Sequence, residues 1–133
     1  MSGLDFVVHR VLYGYGLRFS YDWAVVYWVA FSGVFLLFGA VVGFGYWLGS
    51  GRGRSAVRMS VLLCVSVCLL FWGGLEDVFW FVFWGGGLPS VAVVWWWTPW
   101  FGLLGFWNSL CQLVLLSVVF AVVVAFWIRI LYS

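Results

Sequence analysis

A chain of 133 residues that is 67% hydrophobic and 8% charged is far from the soluble norm of about a quarter charged residues. A body this small leaves about a third of its chain surface uncovered, so lipid has to do the covering. The net charge of +2 comes from six arginines, with no lysine, against Asp5, Asp22, Glu76 and Asp77; such scattered arginines do not make the contiguous basic surface that a nucleic-acid partner requires.

Residues 3 to 19 are apolar but interrupted by Asp5, His9, Arg10 and Arg18, which is the layout of a short helix lying at the membrane surface. Asp5 and His9 stand four apart on one side of it. Ser20 or Asp22 can cap the helix that follows. From Trp23 to Leu48 no charged residue occurs in 26 positions, more than the roughly 20 needed to cross a bilayer, and this segment is the first predicted span. Within it, Gly39 and Gly43 form a small-xxx-small pair that admits close approach of a second helix.

The turn that follows carries Arg52, Arg54 and Arg58. Arginine concentrated in a short loop marks the cytoplasmic side. The second span is predicted over residues 57 to 84 as one continuous helix, because 59 to 74 alone would be short for a crossing. That choice places Glu76 and Asp77 in its outer third. Asp77 shares its stripe with Leu70 and Gly73, the small face expected to pack, while Glu76 shares its side with Leu69, Trp72 and Trp80. Cys64 and Cys68, four apart on one helical face, read as small packing residues.

Residues 90 to 107 are ambiguous. Trp95, Trp96, Trp97 and Trp100 suit an interfacial or re-entrant segment, or an anchor that offers flat indole faces to a lipid or apolar ring compound, and Pro99 disfavours helical geometry at Thr98. The alternative is an additional span. Part of this aromatic richness can reflect coding bias, since Val, Gly, Trp, Phe, Leu and Cys all have codons built from G and T alone. Asn108 and Ser109 can start the last span, residues 109 to 131, which carries no charge before Arg129.

The expected fold is therefore all-α, an integral membrane helical bundle in a single transmembrane domain, with three spans plus the tryptophan-rich segment, or with four spans. Three spans leave Arg52, Arg54, Arg58 and Arg129 inside against Arg10 and Arg18 outside, whereas four divide the arginines evenly. The positive-inside rule favours three, in a multi-pass cell-membrane protein with its N-terminus outside and its C-terminus cytoplasmic.

Ionisable groups within membrane-length apolar runs are functional hypotheses by default. Glu76 and Asp77 are joined at the same expected depth by Arg18, His9, Asn108 and Gln112, with Arg18 the first candidate charge partner. Glu76, Asp77 and His9 are also the candidate metal ligands, although three groups without a recognised spacing are a weak set. Nothing in the sequence specifies a cofactor. No hydrolytic triad or nucleotide loop can be assembled around a single histidine and the turn GSGRGRS. The expected function is that of an accessory or structural subunit of a larger membrane complex, held by lipid and by other membrane subunits or copies of itself. The alternative is a small homo-oligomeric transporter or channel with a carboxylate-lined cation or proton path.

Overall fold

A computed structural model describes the backbone of residues 21–132 and the side chains from Trp28 onward. The predicted surface helix, with His9 and Arg18, lies outside the described residues. Five helices follow in order: α1 (Tyr21–Gly49), α2 (Arg54–Trp72), α3 (Leu75–Phe83), α4 (Pro99–Leu104) and α5 (Ser109–Leu131). There is no strand among the described residues. Among the described residues three stretches are long and apolar enough to cross a membrane: Trp28–Gly49, Arg54–Trp72 and Ser109–Leu131, of 22, 19 and 23 residues. At 1.5 Å per residue each approaches or exceeds the ~30 Å of a hydrocarbon core. The protein is a small all-α, multi-span membrane protein.

Valine and glycine are poor helix formers in water, yet they fill these spans. In lipid the ranking matters less, because every backbone N–H and C=O has to be satisfied inside its own segment and the helix does so. Most of the spans' surface faces outward: the share of residues buried within the chain is 17%, 17% and 6% for the three in order.

The helices distribute over two compact units. The first comprises Ala30–Gly73 and Leu115–Ser133. Here α1 and α2 run antiparallel, with Gly39 against Cys64 and Cys68, and Gly43 against Ser60. A Cβ on Gly43 would lie 2.6 Å from the Ser60 carbonyl oxygen, and one on Gly39 2.9 Å from that of Cys64. The missing side chains are what let the two backbones approach. Ser60 uses the proximity to donate its hydroxyl to the Gly43 carbonyl at 2.5 Å, and the Cys68 thiol donates to the Phe35 carbonyl at 3.7 Å. Phe35, 1% exposed, stacks on Phe71 at 5.0 Å.

On α2 and α5 the same economy recurs. Gly73 leaves room for Val119, 3.1 Å from where its Cβ would stand. Ser66 donates to the Leu62 carbonyl at 2.7 Å and accepts the Trp127 indole N–H at 3.0 Å. Leu62 and Val123 complete this buried layer.

The second unit comprises Gly74–Val114 and the described residues up to Val29. Its tryptophan-rich segment contains only the single-turn α4 between α3 and α5, so it makes no additional span. The segment doubles back, with the Trp95 N–H donating to the Trp107 carbonyl at 2.8 Å. Thr98 is extended (φ −78°, ψ 147°) and caps α4 by accepting the Phe101 N–H, with Pro99 in the first turn. That is the geometry imposed on a residue before proline.

One expectation is corrected. The segment read as a continuous helix over 57–84 is divided at Gly73–Gly74 into α2 and α3. Gly74 adopts φ +86°, ψ 22°, a left-handed conformation that a side chain would resist. The length argument for continuity fails because α2 begins at Arg54, drawing two arginines into its first turns. Long basic side chains can do this at a membrane boundary by reaching back toward water.

Gly43→Leu is expected to destabilise the protein by about 1–3 kcal/mol through overpacking. Gly45→Ala, with nothing within 4 Å of the added atom, should be neutral or slightly stabilising. Unfolding by titrated denaturing detergent in mixed micelles measures both.

Candidate functional site

Two buried polar groups of the second unit belong to the break at Gly74: Gln112, which packs against it, and Glu76, which follows it in the chain. Gln112, in the first turns of α5, is wholly buried. Its Oε1 accepts the Trp107 indole N–H at 2.8 Å, and its carboxamide occupies the space where a Gly74 side chain would stand. The absent side chain at position 74 thus does two things, permitting the left-handed turn and seating the amide. Both ends of the amide are polar and need partners when buried, and the indole is one.

Glu76 and Asp77 follow in the first turn of α3. A helix N-terminus carries partial positive charge, which favours carboxylates placed there; Gly74 supplies no side-chain cap. Glu76 is 5% exposed while Asp77 is half-buried. The sequence reading had the reverse emphasis, with the stripe of Asp77 as the packed face. It propagated the helical register of Leu70 and Gly73 through Gly74, and the turn there resets the register.

The start of α5 is tied down by three side-chain bonds. Asn108 accepts the Cys111 N–H through Oδ1 at 3.1 Å, as a helix-capping residue does. Its Nδ2 donates to the Val91 carbonyl at 3.1 Å, and the buried Ser109 hydroxyl donates to the Pro89 carbonyl at 2.6 Å. Asn108 is thereby a cap and a brace for the loop, and its carbonyl accepts the Gln112 backbone N–H at 3.0 Å. Arg18 and His9, the other members of the predicted cluster, lie outside the described residues.

Aromatic rings form the apolar wall of this unit. Trp95 is fully buried, stacked on Trp97 at 5.5 Å and tilted against Phe81 at 4.9 Å. Trp97 accepts the Trp28 indole N–H at its carbonyl, 2.7 Å away. Trp100 tilts against Trp107 at 6.0 Å, and Trp96 is half exposed. An interfacial anchor presents its indole N–H to water; the Trp95 indole N–H is instead buried, with no acceptor among the described residues. Of the four predicted tryptophans, Trp95 is core and Trp96 is the one that offers most of its surface outward.

Thr98, Ser109 and Trp107 were not singled out as site residues from sequence, yet all are buried and hydrogen-bonded. Trp107 is five residues from Gln112, and an indole shortly before a lone amide in an apolar helix is the signal that could have found the pair. Among the described residues no three of His, Cys, Asp and Glu converge as a metal site would require.

Gly74→Ala is expected to be among the most damaging single-methyl additions, combining left-handed strain with overlap on the Gln112 carboxamide, for a loss of roughly 2–4 kcal/mol. Gln112→Leu should cost about 1–3 kcal/mol by orphaning the Trp107 N–H. The same detergent titration reads both, and Trp107→Phe in the Gln112→Leu background should recover part of the loss.

No family model, no curated protein and no solved structure matches this chain.

Proposed function

We propose that the protein is an accessory or structural subunit of a larger membrane assembly. The observation that carries the reading is the division of its surface: buried polar side chains such as Glu76, Thr98, Ser109, Gln112 and Ser66 sit in the interior, while the spans present apolar faces outward. On α5, Leu110, Val114, Val118 and Val122 recur every fourth residue and are all exposed, a continuous ridge along one side of the helix. Such a ridge packs against lipid or against another helix, and a chain whose chemistry is folded inward acts through what it packs against. A buried carboxylate, Glu76, is what a cation or proton path would use, and that is the second reading.

The orientation follows from the arginines: the α1–α2 turn and the end of α5 face the cytoplasm, and the α3–α5 connection faces outside.

Gently solubilised from its native membrane, the 15.1 kDa chain is expected in a larger particle with other polypeptides at fixed stoichiometry. Val118→Trp on the α5 ridge should loosen that particle without lowering the amount of chain in the membrane. A closed homo-oligomer that conducts ions in liposomes, and loses the flux with Glu76→Gln, would replace this reading with the transporter. For orientation, an impermeant maleimide applied to intact cells should label Ser90→Cys and spare Ser50→Cys until the membrane is opened.

A further inference from the structure

We infer that the cytoplasmic end of the α1–α2 pair is a binding site for an anionic phospholipid, with an acyl chain in the groove between the helices and the phosphate held by Arg52, Arg54 and Arg58. This rests on the membrane location and not on the subunit reading.

The groove lies within the first unit and has a volume of about 410 Å³. Phe44 and Trp47 of α1 and Val57 and Val61 of α2 form its sides, with Gly43 and Ser60 among its lining. It covers eight residues of each helix, Ala40–Trp47 and Val57–Cys64, about 10 Å along the axis at 1.5 Å per residue. The lining is almost wholly apolar, with Ser60 spending its hydroxyl on the Gly43 carbonyl. An alkyl chain suits such a slot.

Charge identifies which lipid. The first unit, residues 30–73 and 115–133, contains four arginines and no acidic side chain. Three of the four, Arg52, Arg54 and Arg58, lie in the α1–α2 turn and the first turns of α2, next in the chain to the residues that line the groove. Arg54, Val57, Arg58 and Val61 stand at i, i+3, i+4 and i+7, one face of α2, and both valines line the groove. The Arg52 guanidinium sits 5.5 Å over the ring of Trp47, which forms the opposite wall. All three arginines are exposed.

The backbone adds to this. α2 is capped by Gly53, with no side-chain cap and no acidic residue in its first turn, so the free N–H groups and positive dipole end of the helix add to the charge of the arginines beside it in the chain. Gly51 and Arg52 both have positive φ, +81° and +61°, turning the chain tightly just before the helix start. A phosphodiester supplies the anion that the unit lacks, and its attached chain fills the slot beside it.

The test uses the full chain in nanodiscs of phosphatidylcholine with and without phosphatidylglycerol, reading bound lipid by native mass spectrometry and stability by thermal unfolding. One phosphatidylglycerol retained per chain, with a higher Tm than in phosphatidylcholine alone, is expected. At about fivefold per basic group near a phosphate surface, the triple variant Arg52→Gln, Arg54→Gln, Arg58→Gln should lose about 100-fold in selectivity. The matching triple lysine variant should keep most of it, which separates loss of charge from misfolding. Val57→Trp fills the groove and leaves the charge alone; it should release the lipid as well. Retention by Val57→Trp would reduce the effect to surface attraction and overturn the site. So would equal retention of phosphatidylcholine, or a photocrosslinker at Val61 that captures a polypeptide and no lipid in the native membrane.

Discussion

Backbone groups surrounded by hydrocarbon have no solvent to bond with, and that constraint governs the whole chain. It makes helices of valine- and glycine-rich segments that would be indifferent helices in water. It also removes the usual reason for helices to adhere, since lipid tails are as apolar as leucine. What remains is contact quality. Gly39 and Gly43 bring α1 and α2 close enough for Ser60 and Cys68 to reach carbonyls on the neighbouring helix. Ser66 and Trp127 do the same between α2 and α5. Each such bond is worth about 0.6 kcal/mol on average, so the bundle is held by many small terms and by fit.

Where the chain departs from regular helix, each departure is provided for. Gly74 takes the left-handed turn and yields its volume to Gln112, which in turn satisfies Trp107. Thr98, Asn108 and Ser109 satisfy the carbonyl and N–H groups of the connecting segment. Glu76 and Asp77 stand in the first turn of α3, where a helix start tolerates negative charge best. The buried polar side chains of the second unit, Glu76, Thr98, Ser109 and Gln112, thus stand at or next to helix starts.

Much of this was legible from the residues. Runs of apolar sequence marked the three spans, and Pro99 marked the non-helical geometry of Thr98. The tryptophan-rich segment also reads correctly as something other than a span. The misreading came at Gly73–Gly74, where apolar character continues unbroken and only the conformation changes. Hydropathy carries no information about φ, so a left-handed glycine is invisible to it. The burial of Glu76 over Asp77 was lost for the same reason, because a helical register counted through the break points the wrong side inward. The inward position of Trp95 is set by a backbone bond to Trp107 twelve places away, which no local pattern announces.

The separation in sequence of the contacts in the first unit has a temporal consequence. Ser60 reaches a partner 17 residues back, across a four-residue turn, while the Ser66–Trp127 bond closes over 61 residues. Short closures are entropically cheaper and faster than long ones. During synthesis, the α1–α2 hairpin is complete before α5 has left the ribosome, and its arginine turn is already committed to one side of the bilayer. The last helix then arrives at a pair that is already built and oriented, so errors made in the hairpin are inherited by everything that docks on it.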